Sequence, residues 1–172
     1  MSADAHIVFD TLYAAHRGTL YAYLLGRTGD SELALDLAQD VFVRAWRNLA
    51  TLESLPVERQ RAWLLAVARN LGVDHYRSQA TRRATADALE RQAAIERTAA
   101  PSAELEVDER HRLERLDAAI CALPEELRVV LVLQVVDERT STEIGELLGR
   151  PAGTVRYQLA QARRLLARVI EP

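Results

Sequence analysis

STEIGELLGRPAGTVRYQLAQARRLL, residues 141–166, reads as two short helices closed around a turn. Thr140 and Glu143, three positions apart, suit a capping box, in which each side chain satisfies a backbone N–H of the other at the helix start. Ile144, Leu147 and Leu148 turn inward from that helix, and Gly149 suits the left-handed residue that ends it. Arg150 to Gly153 then lead into a second helix. Its residues Val155, Leu159, Ala162, Leu166 and Val169 advance by 4, 3, 4 and 3, which keeps one stripe buried. Two short helices around a glycine-containing turn are a helix-turn-helix.

The second helix leaves Thr154, Arg156, Tyr157, Gln158, Gln161, Arg163 and Arg164 off the buried stripe. In a major groove Arg pairs with guanine edges, Gln with adenine, and Thr with a base or a phosphate. Thr154, Arg156, Tyr157 and Gln158 come early in the helix and are expected at base edges, with Arg163 and Arg164 at phosphates. The net charge of −3 is unhelpful for such a partner until its distribution is read. From Arg150 to Arg168 there are five Arg and no acidic residue, whereas Ala84 to Arg115 holds eight acidic residues against five Arg. The basic charge is therefore placed on particular segments, of which the second helix is one. All 22 basic residues are Arg, a bias that reads as compositional rather than as a functional choice.

Upstream of the pair, residues 106–122 and the stretch after Leu123 and Pro124 read as two more helices. Proline tolerates a first helical turn, and Glu125 and Glu126 complement its dipole. Val129 to Val136 is rich in β-branched residues and would equally suit a buried strand. A helix is expected, because both neighbours are helical and no second strand offers pairing. Residues 106–170 thus form one module. Residues 80–105, rich in Ala, Thr, Arg and Glu with Pro101 and Ser102 near their end, read as a flexible linker.

Residues 5–79 form a first helical module. Val8, Leu12 and Ala15, then Leu20, Tyr23 and Leu24, begin an apolar stripe that breaks at Gly26 to Asp30, where a turn and a capping residue start the next helix. In that helix Phe42, Ala45, Trp46 and Leu49 fall at 0, 3, 4 and 7 on one face. A later helix, 59–77, buries Leu64, Val67, Ala68 and Leu71, and turns Asn70, Asp74 and Arg77 outward. The expected fold class is all-α, two helical modules joined by a flexible linker.

DLAQDVFVRAWRNL (36–49), RAWLLAVARNLGVDHYR (61–77) and the stretch from LPEELRVVLVL at Leu123 through the helix-turn-helix together resemble the extracytoplasmic-function branch of bacterial RNA polymerase sigma factors. The resemblance implies that the first module binds core RNA polymerase and the minus-ten promoter element, and that the second reads the minus-thirty-five element. The family's core-binding helix maps onto Asp36, Leu37, Gln39, Asp40, Val43 and Arg47, with Phe42 and Trp46 kept in the module's own core. Its minus-ten segment maps onto Asn70, Asp74, His75, Tyr76 and Arg77. Asn can read a base edge, His or Tyr can stack on an opened strand, and Arg77, Arg82 and Arg83 can hold phosphate. The resemblance also implies an anti-sigma partner, which no residue pattern identifies. In the loop between Trp46 and Trp63 the familiar Phe is absent, and Leu52 or Leu55 takes that apolar position.

Two other functions fit parts of the chain. An independent helix-turn-helix regulator accounts for residues 140–169 but leaves the first module idle, and a helical protein-interaction adaptor accounts for amphipathicity alone. An enzyme is not expected, since four His and one Cys form no nucleophilic or metal constellation. No cofactor or metal is implied. Cys121, the sole cysteine, excludes an internal disulfide and reads as a small buried hydrophobe. The absence of an eighteen-residue apolar run and of a basic, apolar leader implies a cytoplasmic protein with no membrane insertion.

Overall fold

A computed structural model describes the backbone of residues 3–86 and 115–170, and the side chains of residues 5–71 and 115–168. Every regular element among them is helical: α1 (Ala3–Thr28), α2 (Ser31–Arg47), α3 (Leu49–Glu53), α4 (Val57–Ala86), α5 (115–122), α6 (Glu125–Val135), α7 (Ser141–Leu148) and α8 (Ala152–Ile170). The boundaries follow local chemistry. Asp30 caps α2 by accepting from the N–H groups of Glu32 and Leu33 at 3.0 and 3.1 Å. Thr140 and Glu143 form the expected capping box, and Gly149 ends α7 in the left-handed region at φ 65°. The bonds that the Thr140 backbone and hydroxyl donate to Glu143 hold its carboxyl below the ordinary carboxylate range.

The chain departs from the expected boundaries at two places. The loop expected between Trp46 and Trp63 contains a short helix, α3, because Leu49 and Leu52 are pulled into the core. Helix α4 continues past residue 79 to Ala86, so the start of the segment read as a linker is helical. The remainder of that segment, and residues 106–114 of the second module, lie outside the described residues.

Helices α1, α2 and α4 pack on one another, and α7 packs across α8. Between these groups lies α6, in which Leu127 to Leu133 are buried without interruption. A helix that is apolar all round is one covered on all sides. Here α1 covers one flank while α7 and α8 cover others. The β-branched run is therefore helical and central. One cluster of buried side chains extends from Leu20, Leu24, Val41 and Leu64 through Val130 and Leu133 to Ile144, Val155 and Leu159. The two modules share a core.

Polar contacts close the same boundary. Arg128, buried in α6, donates from Nε to the Gly26 carbonyl at 2.8 Å and from Nη2 to the Arg27 carbonyl at 3.0 Å, both at the C-terminal end of α1. Its Nη1 reaches the Cys121 carbonyl at 2.6 Å and the Leu123 carbonyl at 3.3 Å. Arg27 pairs with Glu125 at 2.9 Å. Cys121 is exposed rather than buried, and its Sγ donates to the Gly29 carbonyl at 3.2 Å. It caps the same boundary instead of filling the core.

His16 lies buried in α1, with Nε2 at 3.3 Å from Gln60 Oε1. Gln60 in turn donates to the Leu52 and Leu55 carbonyls at 3.1 and 3.0 Å, fixing α3 to the start of α4. Burial, opposed by the Gln60 hydrogen bond and reinforced by Arg61 and Arg139, pushes the imidazole below its ordinary value of 6.5. The unfolded chain therefore binds a proton that the folded chain resists. Stability is lost as pH falls below about 6.5 towards the depressed folded value. Denaturant midpoints between roughly pH 7.5 and 5.5 should fall for the wild type and fall less for His16→Gln. Equal slopes in the two proteins would place the acid sensitivity elsewhere.

Candidate functional site

Two surfaces carry the residues that the sequence singles out. The first is a groove of about 1000 Å³ between α1 and α2. On α2, Asp36, Gln39, Asp40, Val43 and Arg47 fall at 0, 3, 4, 7 and 11 and are all exposed, forming one outward stripe. Leu37 points the other way, into the core among Ala34, Ala38 and Val41. It is a packing residue, because its helical position is about 100° from Asp36. Asp36, Gln39 and Val43 line the groove itself, while Asp40 and Arg47 are absent from its lining.

The groove's floor is aromatic. Phe9 meets Trp46 edge-on at 5.0 Å between ring centroids and Phe42 at 6.3 Å, and Tyr13 meets Phe42 at 4.7 Å. Such pairs stiffen the wall beyond what area burial supplies. Phe42 is buried and Trp46 half-buried, as expected for residues of the module's own core. Ile7, Tyr13, Leu35 and Val43 remain exposed around them. Phe9 and Tyr13 were not singled out from sequence. Their four-residue spacing on α1 is the signal that could have found them, but the partner helix is some thirty residues away.

The second surface is the outer face of α8. Thr154, Arg156, Tyr157, Arg163 and Arg164 are exposed there, Tyr157 by 68%, and Gln161 is half-buried. Gln158 departs from its expected place at the groove-reading edge. It is only 8% exposed, and its Oε1 accepts from Arg150 Nη1 at 3.3 Å, so the amide steadies the turn. Lying about 60° from the buried Val155 and about 40° from the buried Ala162 around the helix, position 158 belongs to the inward flank of α8 rather than to its outer face. Arg163 Nη2 donates to Gln134 Oε1 on α6 at 2.5 Å, which orients that guanidinium beside the face.

Of the remaining candidates, Asn70 is exposed on α4. Asp74, His75, Tyr76 and Arg77, with Arg82 and Arg83, lie on the described backbone of α4, and their side chains fall outside the described residues. Leu52 is fully buried and Leu55 half-buried, so Leu52 is the principal apolar filler after Trp46. Among the described residues no group of His, Cys, Asp and Glu could hold a metal ion, and no helix is long and apolar enough to cross a membrane.

Two family models match the chain in succession. The Sigma-70 region 2 family matches residues 12–83, and the Sigma-70, region 4 family matches residues 113–166. Most of the groove lies within the first match, with His6, Phe9 and Asp10 just ahead of it, and the α8 face lies within the second, in an order that defines a sigma-70-type factor. The ferric citrate uptake sigma factor FecI of Escherichia coli is 30% identical over 162 residues, spanning 94% of this chain and 90% of that protein. The ECF RNA polymerase sigma factor SigW of Bacillus subtilis is 27% identical over 171 residues, spanning 92% and 86%. The probable RNA polymerase sigma factor RfaY of Xanthomonas campestris is 32% identical over 170 residues, 94% of this chain but 40% of its own length. The sigma factor RpoE from Bartonella quintana, solved with the anti-sigma factor NepR, shares the fold at a TM-score of 0.52 and 20% identity, covering 98% of this chain and 94% of that one. The chain belongs to the extracytoplasmic-function family of RNA polymerase sigma factors.

Proposed function

We propose that this sigma factor seats core RNA polymerase on the α1–α2 groove and the exposed stripe of α2, and reads the upstream promoter element with α8. The observation that carries this reading is the segregation of the two surfaces. One is an aromatic-floored groove edged by Asp10, Asp36 and Gln39, suited to a protein partner with an apolar core and a polar rim. The other is a helix face with Arg156, Arg163 and Arg164 exposed and no acidic residue from Arg150 to Arg168, suited to duplex DNA. Asn70, Asp74, His75, Tyr76 and Arg77 then meet the opened minus-ten strand, with Asp74 orienting the helix rather than attracting phosphate. The chain acts as a non-catalytic specificity subunit in the cytoplasm. Nucleotide-transfer chemistry belongs to polymerase. An anti-sigma protein would compete for the same apolar groove.

Transcription from defined components tests the proposal: core enzyme plus this chain should initiate on a cognate two-element promoter with no other sigma factor. DNA binding without core association or promoter-dependent initiation would favour an independent regulator instead. Asp40→Ala should weaken core association by about fivefold, the scale of a rim charge worth about 1 kcal/mol, and leave upstream-element binding intact. Unchanged affinity for core in a direct binding titration would remove the α2 stripe from the polymerase interface.

A further inference from the structure

We propose that Gln134 of α6 is a positioning residue for DNA binding: its amide oxygen sets the Arg163 guanidinium for a phosphate of the upstream element and leaves the positive charge unneutralised. The inference rests on the assignment of the α8 face to duplex DNA. Arg163 follows Arg156 by seven residues, so the two side chains leave one flank of α8 within about 20° of each other and about 10 Å apart along the helix. With Arg156 at a base edge, Arg163 is placed to take the backbone beside it, and contacts of that kind fix the register of a helix in the groove. The arginines of α8 are not held alike. Arg156, Arg163, Arg164 and Arg168 are all exposed, and among the described residues only Arg163 has a hydrogen-bond or ion-pair partner.

Gln134 suits the task by place and by chemistry. It follows directly on Leu127 to Leu133, the buried run of α6, so its backbone is anchored in the core while its side chain stands half-buried at the rim. Helices α6 and α8 pack on one another, which keeps the two side chains in range, and Arg163 Nη2 donates to Gln134 Oε1 at 2.5 Å. An exposed arginine otherwise samples many rotamers and loses that freedom when it meets DNA. Here the ordering takes place on folding, and Nη1 and Nε keep their N–H donors for phosphate oxygens. The amide is the fitting acceptor. A carboxylate at position 134 would bind the guanidinium more strongly but cancel its charge, and with it the counterion release that drives phosphate binding. A neutral oxygen orients the group without that cancellation.

Binding of the full chain to an upstream-element duplex selected from a promoter library, measured at several salt concentrations, tests this with Gln134→Met, Gln134→Glu and Arg163→Ala. Methionine keeps the length of the side chain and removes the acceptor. Gln134→Met should weaken binding by about 2- to 10-fold, the effect of ordering one long side chain on the DNA instead of beforehand. The slope of log affinity against log salt should not change in that variant, because the charge of Arg163 remains. Gln134→Glu should keep the bond and lower the slope by about 0.9, as Arg163→Ala does. In an Arg163→Ala background, Gln134→Met should cost nothing further. An equal loss from Gln134→Met in both backgrounds would overturn the proposal and make Gln134 a packing residue of the α6–α8 contact. Full affinity in Gln134→Met, or an unchanged slope in Gln134→Glu, would overturn it as well. An Arg163→Ala protein with an unaltered slope would instead remove Arg163 from the phosphates, and the role of Gln134 would fall with that assignment.

Discussion

Replacing Arg156 with alanine is expected to reduce binding to the upstream promoter element by about 5- to 150-fold, the equivalent of about 1–3 kcal/mol for a bidentate contact to a base edge. Arg156 lies one turn into α8, where a recognition helix approaches the groove, and it is exposed beside Thr154 and Tyr157. The guanidinium fork matches the O6 and N7 acceptors of guanine, so Arg156→Lys should recover only part of the loss. Discrimination among upstream sequences should relax at one position. Arg164→Ala makes the informative contrast: removing a cation that neutralises a phosphate weakens binding to all sequences alike and lowers the slope of log affinity against log salt by about 0.9. A promoter-library binding measurement at several salt concentrations separates the two. If Arg156→Ala cost the same on scrambled and cognate upstream elements, the residue would be a phosphate contact and the base-reading assignment would fail.

Gly145→Ala is expected to destabilise the helix-turn-helix by about 2–3 kcal/mol, towards the upper end of overpacking effects, and Gly145→Val by more. Gly145 is buried midway along α7, where an added Cβ would stand 2.5 Å from the Arg150 carbonyl oxygen and 3.3 Å from the Ala152 N. Those are backbone atoms of the turn and the start of α8, which cannot swing aside as a side chain could. The same residue's carbonyl accepts from the Arg150 N–H at 2.8 Å, so any displacement of the turn also stretches that bond. Thermal and denaturant unfolding should show the loss, and binding to the upstream element should fall with it. Core binding through the α1–α2 groove should survive while the first module stays folded. A Gly145→Ala protein within about 0.5 kcal/mol of wild type would show that the turn relaxes at little cost.

Much of the helix-turn-helix was legible in the linear chain, because its determinants are local. A capping box joins residues three apart, Gly149 serves its own backbone, and the buried stripe of α8 repeats within one helix. Leu37 and Gln158 show where such reasoning stops. The mapping of Leu37 to a core-binding surface followed the family pattern, but the inward face of α2 is decided by where α1 and α4 lie. Gln158 reads as a groove residue by type and early position, and only the folded turn brings Arg150 within 3.3 Å of its amide. The aromatic floor of the groove was hidden for a similar reason, since Phe9 and Tyr13 meet Phe42 and Trp46 across helices.

By itself the sequence determined an all-helical chain, the helix-turn-helix and its basic face, and a resemblance spanning both modules. Hydrogen-bonded caps, helical periodicity and charge clustering act over a few residues, so they survive in one dimension. Tertiary structure alone decided that Leu127 to Leu133 of the expected α6 helix are buried without interruption, that α1 supplies one of the covering sides, and that Arg128 caps carbonyls about a hundred residues upstream. Burial against a remote helix leaves no periodic trace when every face of the buried helix is apolar. A carbonyl without a partner is equally silent in sequence, because every residue carries one, and only the fold shows which donor reaches it.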